Sequence, residues 1–188
     1  SKDPYRSKQW ALNTFGAETL WKKSTGKSVV VAVVDTGVAL THPDLKGRVL
    51  AGRDFIKPGT SAADENGHGT HVAGIIAANA NNKIGTAGLA PSALILPVRV
   101  LDASGSGDNA GVAQGIIWAA QQGVHVINLS LGATRSDTAI KAAVAYAQSR
   151  NVVVVAAAGN ESCRLLLGSP TAYPAAYPGV LGVGAISS

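Results

Sequence analysis

The sequence contains no methionine, one cysteine, and charged side chains at only 14% of its 188 positions. The lone Cys163 cannot close an intrachain disulfide, so it says nothing about redox compartment and is read as a structural thiol. No apolar run approaches the roughly 18 residues that span a bilayer, and the opening SKDPYRSKQW has no apolar signal core. No membrane partner is therefore expected, and an exported form would already have lost its targeting segment. Residues 1–57 carry ten Lys/Arg against five Asp/Glu and hold the whole net charge of +5, whereas residues 58–188 balance at six each. That asymmetry could mark a face for an acidic partner. However, the basic residues stand singly or in pairs without interleaved aromatics, which describes a solvated surface rather than a nucleic-acid site. Internal repeats, low-complexity tracts and linkers are also missing. With 46% hydrophobic residues the chain reads as one globular domain, and its 22 glycines favour small, closely packed elements.

Against these absences stands a repeated pattern. SVVVAVV (28–34) is a continuous β-branched run that ends at Asp35 and the turn pair Thr36-Gly37. Runs of this kind are buried on both faces of a sheet. The same signature recurs in ALILPVRVL (93–101), VHVINLSL (124–131), NVVVVAAA (151–158) and VLGVGAI (180–186), so five strands of a parallel sheet are predicted. Between them lie helical patterns: HVAGIIAA from His71, following His68, NAGVAQGIIWAAQQ (109–122), and SDTAIKAAVAYAQSR (136–150), which opens with a Ser/Asp cap. This alternation is the α/β class.

Open parallel sheets gather chemistry beyond the carboxyl ends of their strands. Asp35 follows the first strand, Ser130-Leu131-Gly132 the third and Gly159-Asn160 the fourth. His68 starts a helix between Gly67 and Gly69, whose small size permits close approach of another segment. An Asp, a His and an Asn thus meet on one edge. A buried Asp that orients a His, a His that acts as base toward a nucleophile, and an amide that stabilises the oxyanion are parts of serine acyl transfer. Taken alone, Asp35 would be a turn residue capping its strand. His71, at i+3 from His68, is read as a structural residue buried along the same helix face.

VVDTGV, NGHGTHVAG and AAAGN, in that order, resemble the Asp, His and oxyanion-Asn motifs of the subtilisin-like serine proteases. The N-terminal DPYRSKQW and the spacing look closest to the thermitase-like branch. The resemblance implies a three-layer fold with a mostly parallel central sheet, incomplete at the C-terminus, residues 1–188 being the N-terminal part of a catalytic domain. It implies a secreted serine endopeptidase acting on peptides or proteins, with a pro-segment or protein inhibitor as further partners. Carried over by motif, Asp35 orients the histidine, His68 is the general base and Asn160 donates to the oxyanion. Gly105-Ser106-Gly107 and Ser130-Leu131-Gly132 match the segments that hold a peptide as an added strand. Ala157-Ala158-Gly159 would wall the primary specificity pocket and, being small, leave it open to apolar or aromatic side chains. HPDLK and NNKIGTAGLAP look like the family's calcium site, with Asp44, Asn82, the carbonyls of Ala80, Ile84 and Thr86, and Asp3 as ligands. A second, acidic calcium loop is expected before the His motif, where this chain instead has Lys57, Pro58 and Gly59.

The nucleophile is the missing part. The family's serine sits in a G-T-S-x-A-x-P motif that opens a buried helix downstream of the oxyanion Asn, and nothing after Asn160 matches it. Gly59-Thr60-Ser61-Ala62-Ala63 is followed by Asp-Glu-Asn-Gly rather than an apolar helix, so Ser61 is read as a turn residue. Three explanations stand: a cleaved protease whose serine lies on another chain, a truncation, or a catalytically silent peptide-binding relative. A metal-dependent hydrolase using Asp35, His68 and His71 would be a different class, but H-x-x-H lacks the glutamate and further ligands of zinc sites.

Overall fold

The structure is a computed structural model that describes residues 2–160 and 171–186; Cys163 lies outside them. In chain order the elements are α1 (Trp10–Thr14), α2 (Ala17–Trp21), β1 (Val30–Asp35), β2 (Arg53–Asp54), α3 (His68–Ala77), β3 (Leu94–Arg99), α4 (Asn109–Gln121), β4 (Val126–Leu129), α5 (Thr138–Ser149), β5 (Val153–Ala157) and β6 (Leu181–Val183). The strands form one sheet in the order β2-β3-β1-β4-β5-β6, and all its pairings are parallel. The α/β class is as the alternation predicts. The strand number differs, because β2 joins the five apolar runs. It consists of two residues, pairs Arg53 with Val98 and Asp54 with Arg99, and owes its existence to β3 rather than to its own composition.

β1 sits at the turning point of the topology. The chain reaches β2 and β3 on one side of it, then crosses through α4 to place β4 on the other, which opens a crevice beyond the carboxyl end of β1. The two-residue period of the strand divides its side chains between two cores. Ala32 and Val34 join Val98, Ile116, Ile127 and Val144 beneath α4 and α5. Val31 and Val33 join Ile95, Ala73 and Ala77 beneath α3. Both covering helices are capped: Asp137 accepts from Ala139 N and Ile140 N, within the Ser/Asp pair that the sequence offers as a cap, and Asp108, which the sequence reading does not single out, accepts from Gly111 N.

Burial on both faces holds for β1 and β3 but not for the rest of the sheet. In β4 and β5 the residues turned toward α4 and α5 (Ile127, Leu129, Val154, Ala156) are buried. Their neighbours Val126, Asn128, Val155 and Ala157 are only half-buried, and Val153, Leu181 and Val183 are 46%, 57% and 54% exposed. The reason is geometric. α3 lies across β1 and β3 only, and among the described residues no helix covers the same face over β4, β5 and β6.

Candidate active site

Asp35 is the last residue of β1 and is completely buried. Its carbonyl accepts from Val100 N and Leu101 N, which fixes the strand end against the start of the 101–107 loop. Its Oδ1 accepts from Thr36 N at 2.7 Å and lies 2.7 Å from His68 Nδ1. A carboxylate can only accept, so the shared proton belongs to Nδ1 and the imidazole keeps Nε2 free to act as a base. His68 opens α3 behind Gly67, whose φ of 106° is left-handed, and its side chain is 49% exposed. Helix and strand can meet this closely only because residue 69 has no side chain: a Cβ there would lie 2.1 Å from Gly37 O and 3.2 Å from Asp35 Cβ.

The ring of His68 lines a cavity of about 550 Å³, large enough for several side chains of a bound peptide. Gly105, Ser106 and Gly107 form one bank, and Ser130, Leu131 and Gly132 the other. Val112, Ile140 and Leu101 add apolar surface, and Tyr173, Pro174 and Tyr177 complete the lining. The first bank is held by Asp102, whose Oδ1 accepts from Ser104 Oγ, Ser104 N and Ser106 N; the Ser104 hydroxyl and these amides hold its carboxyl below the usual range. On the second bank Ala133 pairs with Tyr173 through two 2.9 Å backbone bonds.

Other predicted residues fall elsewhere. Ala157, Ala158 and Gly159 do not line this cavity; Ala158 instead donates to Val183 O and accepts from Ala172 N. Asn160 is exposed, just beyond β5 and Gly159 (φ 113°), on the edge where β1 ends but outside the cavity lining. Ser61 is exposed on a different cleft with Leu40, Val49 and Thr60. His71 is exposed rather than buried, because the inward stripe of α3 is Gly69, Ala73 and Ala77, and a position two residues from Gly69 points away from it. It lines another cavity with His42 and Asp44 and is not joined to Asp35 and His68. Among the described residues no group of three His, Cys, Asp or Glu is placed to hold a metal.

A cation held mainly by carbonyl and amide oxygens is a separate matter. Asp3 and Asp44 are both buried and both face the 79–86 loop. Asp3 accepts from Asn81 N and Lys83 N, while Asp44 accepts from Asn82 Nδ2 at 2.8 Å and Thr86 N at 2.9 Å. Left-handed φ values at Asn81, Lys83 and Gly85 coil the loop around them. No described residue donates to the carbonyls of Ala80, Ile84 or Thr86. Asn82 Oδ1 accepts from Ile84 N at 2.9 Å, so the donors gathered here are two buried carboxylates, one amide oxygen and free carbonyls, oxygen atoms of the kind Ca²⁺ takes. The loop before His68 is filled otherwise. Lys57 Nζ lies 2.6 Å from Glu65, and buried Arg99 reaches Glu65 at 2.8 Å and Asp54 at 3.2 Å.

Polar residues beside Asp35 and His68 complete the site. Asn66 Oδ1 accepts from His68 N and its Nδ2 donates to Ala103 O, tying the histidine to the first bank. Thr36 and Asp64 join strand to helix. Thr36 and Asn66 stand inside VVDTGV and NGHGTHVAG with no role assigned to them there, and Asp64 has only the Asp-Glu-Asn-Gly turn composition ahead of the helix as its signal.

The fold is α/β, and the site pairs a buried aspartate at a strand end with a histidine that opens a helix. The subtilase family model matches residues 26–188, and the chain belongs to that family. It is 47% identical over 182 residues to thermitase from Thermoactinomyces vulgaris, covering 96% of this chain and 63% of that protein. It is 46% identical over 181 residues to subtilisin Savinase from Lederbergia lenta, covering 96% and 64%. Among solved structures it resembles sphericase with a TM-score of 0.76 at 38% identity, covering 84% of this chain and 53% of that one. The chain thus spans less than two thirds of each of these relatives.

Proposed function

We propose that this chain is the acid–base part of a subtilisin-like serine endopeptidase. His68 takes the proton of a serine hydroxyl as that oxygen attacks the scissile carbonyl, then returns it to the leaving amine. Asp35 holds the imidazole in the Nδ1–H tautomer and stabilises the imidazolium. The observation that carries this reading is the 2.7 Å contact between His68 Nδ1 and the buried Asp35 Oδ1, beside a groove of peptide size. A peptide lies as an added strand between residues 105–107 and 130–132, and Asn160 supplies the amide for the oxyanion. Ala157, Ala158 and Gly159 border that amide.

The serine comes from a polypeptide segment outside these 188 residues. Among the described residues no serine hydroxyl is hydrogen-bonded to His68, and Ser61 faces another cleft. The half-exposed apolar face of β4, β5 and β6 offers such a segment a surface that a helix would cover. Calcium held by Asp3, Asp44, Asn82 and the carbonyls of Ala80, Ile84 and Thr86 would fix the 79–86 loop against the N-terminal segment. An extracellular site of action accords with a calcium-stabilised protease, and no helix among the described residues is long and apolar enough to cross a membrane.

Labelling with a fluorophosphonate tests this reading. The 188-residue chain alone is expected to stay unlabelled, and addition of a segment carrying G-T-S-x-A is expected to give label on that segment. His68→Ala or Asp35→Asn should lower the labelling rate by several orders of magnitude, and Ser61→Ala should leave it intact. Label mapped to Ser61 in the isolated chain overturns the assignment.

A further inference from the structure

Asp64, which no motif assigns, accepts five hydrogen bonds within the turn that leads to α3. Its Oδ1 takes Thr36 Oγ1 at 2.9 Å, Asn66 N at 2.9 Å and Gly67 N at 2.8 Å. Its Oδ2 takes Thr70 N at 3.0 Å and Thr70 Oγ1 at 2.5 Å. Each threonine hydroxyl has one proton, which it gives to Asp64, and each then accepts from a backbone amide: Thr36 Oγ1 from Gly69 N at 2.9 Å, Thr70 Oγ1 from Ala39 N at 2.9 Å. Thr36 follows Asp35, and Gly69 follows His68. One carboxylate therefore holds the residue after each member of the acid–base pair, and through Asn66 it also holds the residue whose side chain receives His68 N. A rotation of the first turn of α3 against the end of β1 would break bonds on both carboxylate oxygens at once. Burial pushes the Asp64 carboxyl up, but hydrogen bonds from the Gly67 amide, the Thr70 hydroxyl and the Asn66 and Thr70 amides outweigh it, and the group is held below its ordinary value.

We propose that Asp64 is the positioning residue of the Asp35–His68 pair, clamping the end of β1 to the first turn of α3 so that His68 Nδ1 meets Asp35 Oδ1. This rests on the acid–base reading given above, but the geometry can be measured without catalysis. The two oxygens do separate work. Oδ1 holds strand and loop, and Oδ2 holds the helix. Asn at position 64 can serve one side but not both, since its amide nitrogen would face donors on the other.

The test is proton NMR of the 188-residue chain, observing the His68 Nδ1 proton, which a charge-assisted bond of this length deshields and protects from exchange. Wild type is expected to show it. Asp64→Asn should broaden it and speed its exchange at least tenfold, and Asp64→Ala should abolish it. Should Asp64→Ala fail to fold, the near-isosteric Thr70→Val and Thr36→Val decide: both should weaken the signal, whereas Thr70→Ser and Thr36→Ser, which keep the hydroxyl, should retain it. In protein completed by a serine-bearing segment, Asp64→Asn should lower kcat by about 10²-fold, the cost of a misplacement near 1 Å, with KM unchanged. An unshifted, equally protected proton in folded Asp64→Asn and Thr70→Val overturns the proposal, and so does absence of the signal from the wild type. Failure of the completed protein to turn over while the proton behaves as described counts against the enzyme reading, not the clamp.

Discussion

Two glycines of α3 should respond to the same substitution with opposite sign. At Gly69 an added Cβ would lie 2.1 Å from Gly37 O, a backbone atom that cannot turn aside; at Gly74, one and a half turns on, it meets nothing within 4 Å. Restoring an ordinary contact of 3.4 Å at position 69 requires α3 to retreat from β1 by about 1.3 Å. If His68 moves with the helix, its 2.7 Å contact to Asp35 opens beyond hydrogen-bond range. Overpacking costs about 1–3 kcal/mol, and alanine returns about 1 kcal/mol through helix propensity, so Gly69→Ala should lose about 0–2 kcal/mol. Gly74→Ala carries the propensity gain alone, about 0.5–1 kcal/mol. At about 2–4 °C per kcal/mol for a domain of this size, thermal unfolding should fall by up to about 8 °C in the first variant and rise by about 1–4 °C in the second. The imidazole nitrogen-15 spectrum should show the hydrogen-bonded Nδ1 of His68 lost in Gly69→Ala and unchanged in Gly74→Ala. Equal melting temperatures for the two variants, with the histidine spectrum intact in both, would refute the claim that close approach at Gly69 sets the pair.

Two further outcomes are expected. Glu65 is held down to about 2 by hydrogen bonds from Arg99 and Lys57. Because its folded value is depressed, its contribution to stability is full above the unfolded value of 4.5 and is lost as pH falls toward 2; Glu65→Gln should therefore flatten the acid limb of a stability–pH curve from urea melts. Chelation should lower the melting temperature of the calcium-loaded chain, and calcium at a hundredfold excess over its dissociation constant should add about 2.7 kcal/mol. Asp44→Asn should blunt that response.

The sequence revealed features that depend on composition and concealed those that depend on backbone hydrogen bonding. β1 and β3 were legible as β-branched runs because both their faces are buried, and Asp35 and His68 because they stand where a strand ends and a helix begins. β2 was not, since two residues have no periodicity and only the pairing with β3 makes them a strand. Nor were α1 and α2, each of five residues, which pack through Leu12 and Ala17 against Ala87. His71 is exposed where its i+3 spacing from His68 predicts burial, because burial on α3 follows the small residues at 69, 73 and 77. Asn66, Thr36 and Asp64 act by holding main-chain amides, and polar letters in a turn look the same whether or not they hold anything.

The same division predicts how firmly each part of the site is held. The acid and base stand on β1 and α3, where both faces of the sheet are covered. Asn160 follows β5, which is covered on one face, and β5 pairs with β6, whose Leu181 and Val183 are more than half exposed. Fully burying a Leu or Val contributes about 1.5–3 kcal/mol, so Val153, Leu181 and Val183, each about half exposed, together forgo about 2–4 kcal/mol. Opening free energy sets amide exchange, and each 1.4 kcal/mol is about tenfold in rate, so amides of residues 153–157 and 181–183 should exchange about 30- to 10³-fold faster than those of 30–35 and 94–99. A serine-bearing segment that covers the bare face should slow exchange in β5 and β6 while leaving β1 and β3 nearly unchanged, since their faces are already covered. Exchange that slows only around His68, with β5 and β6 unaffected, would mean that the segment approaches from the groove, and the bare face would then need another explanation.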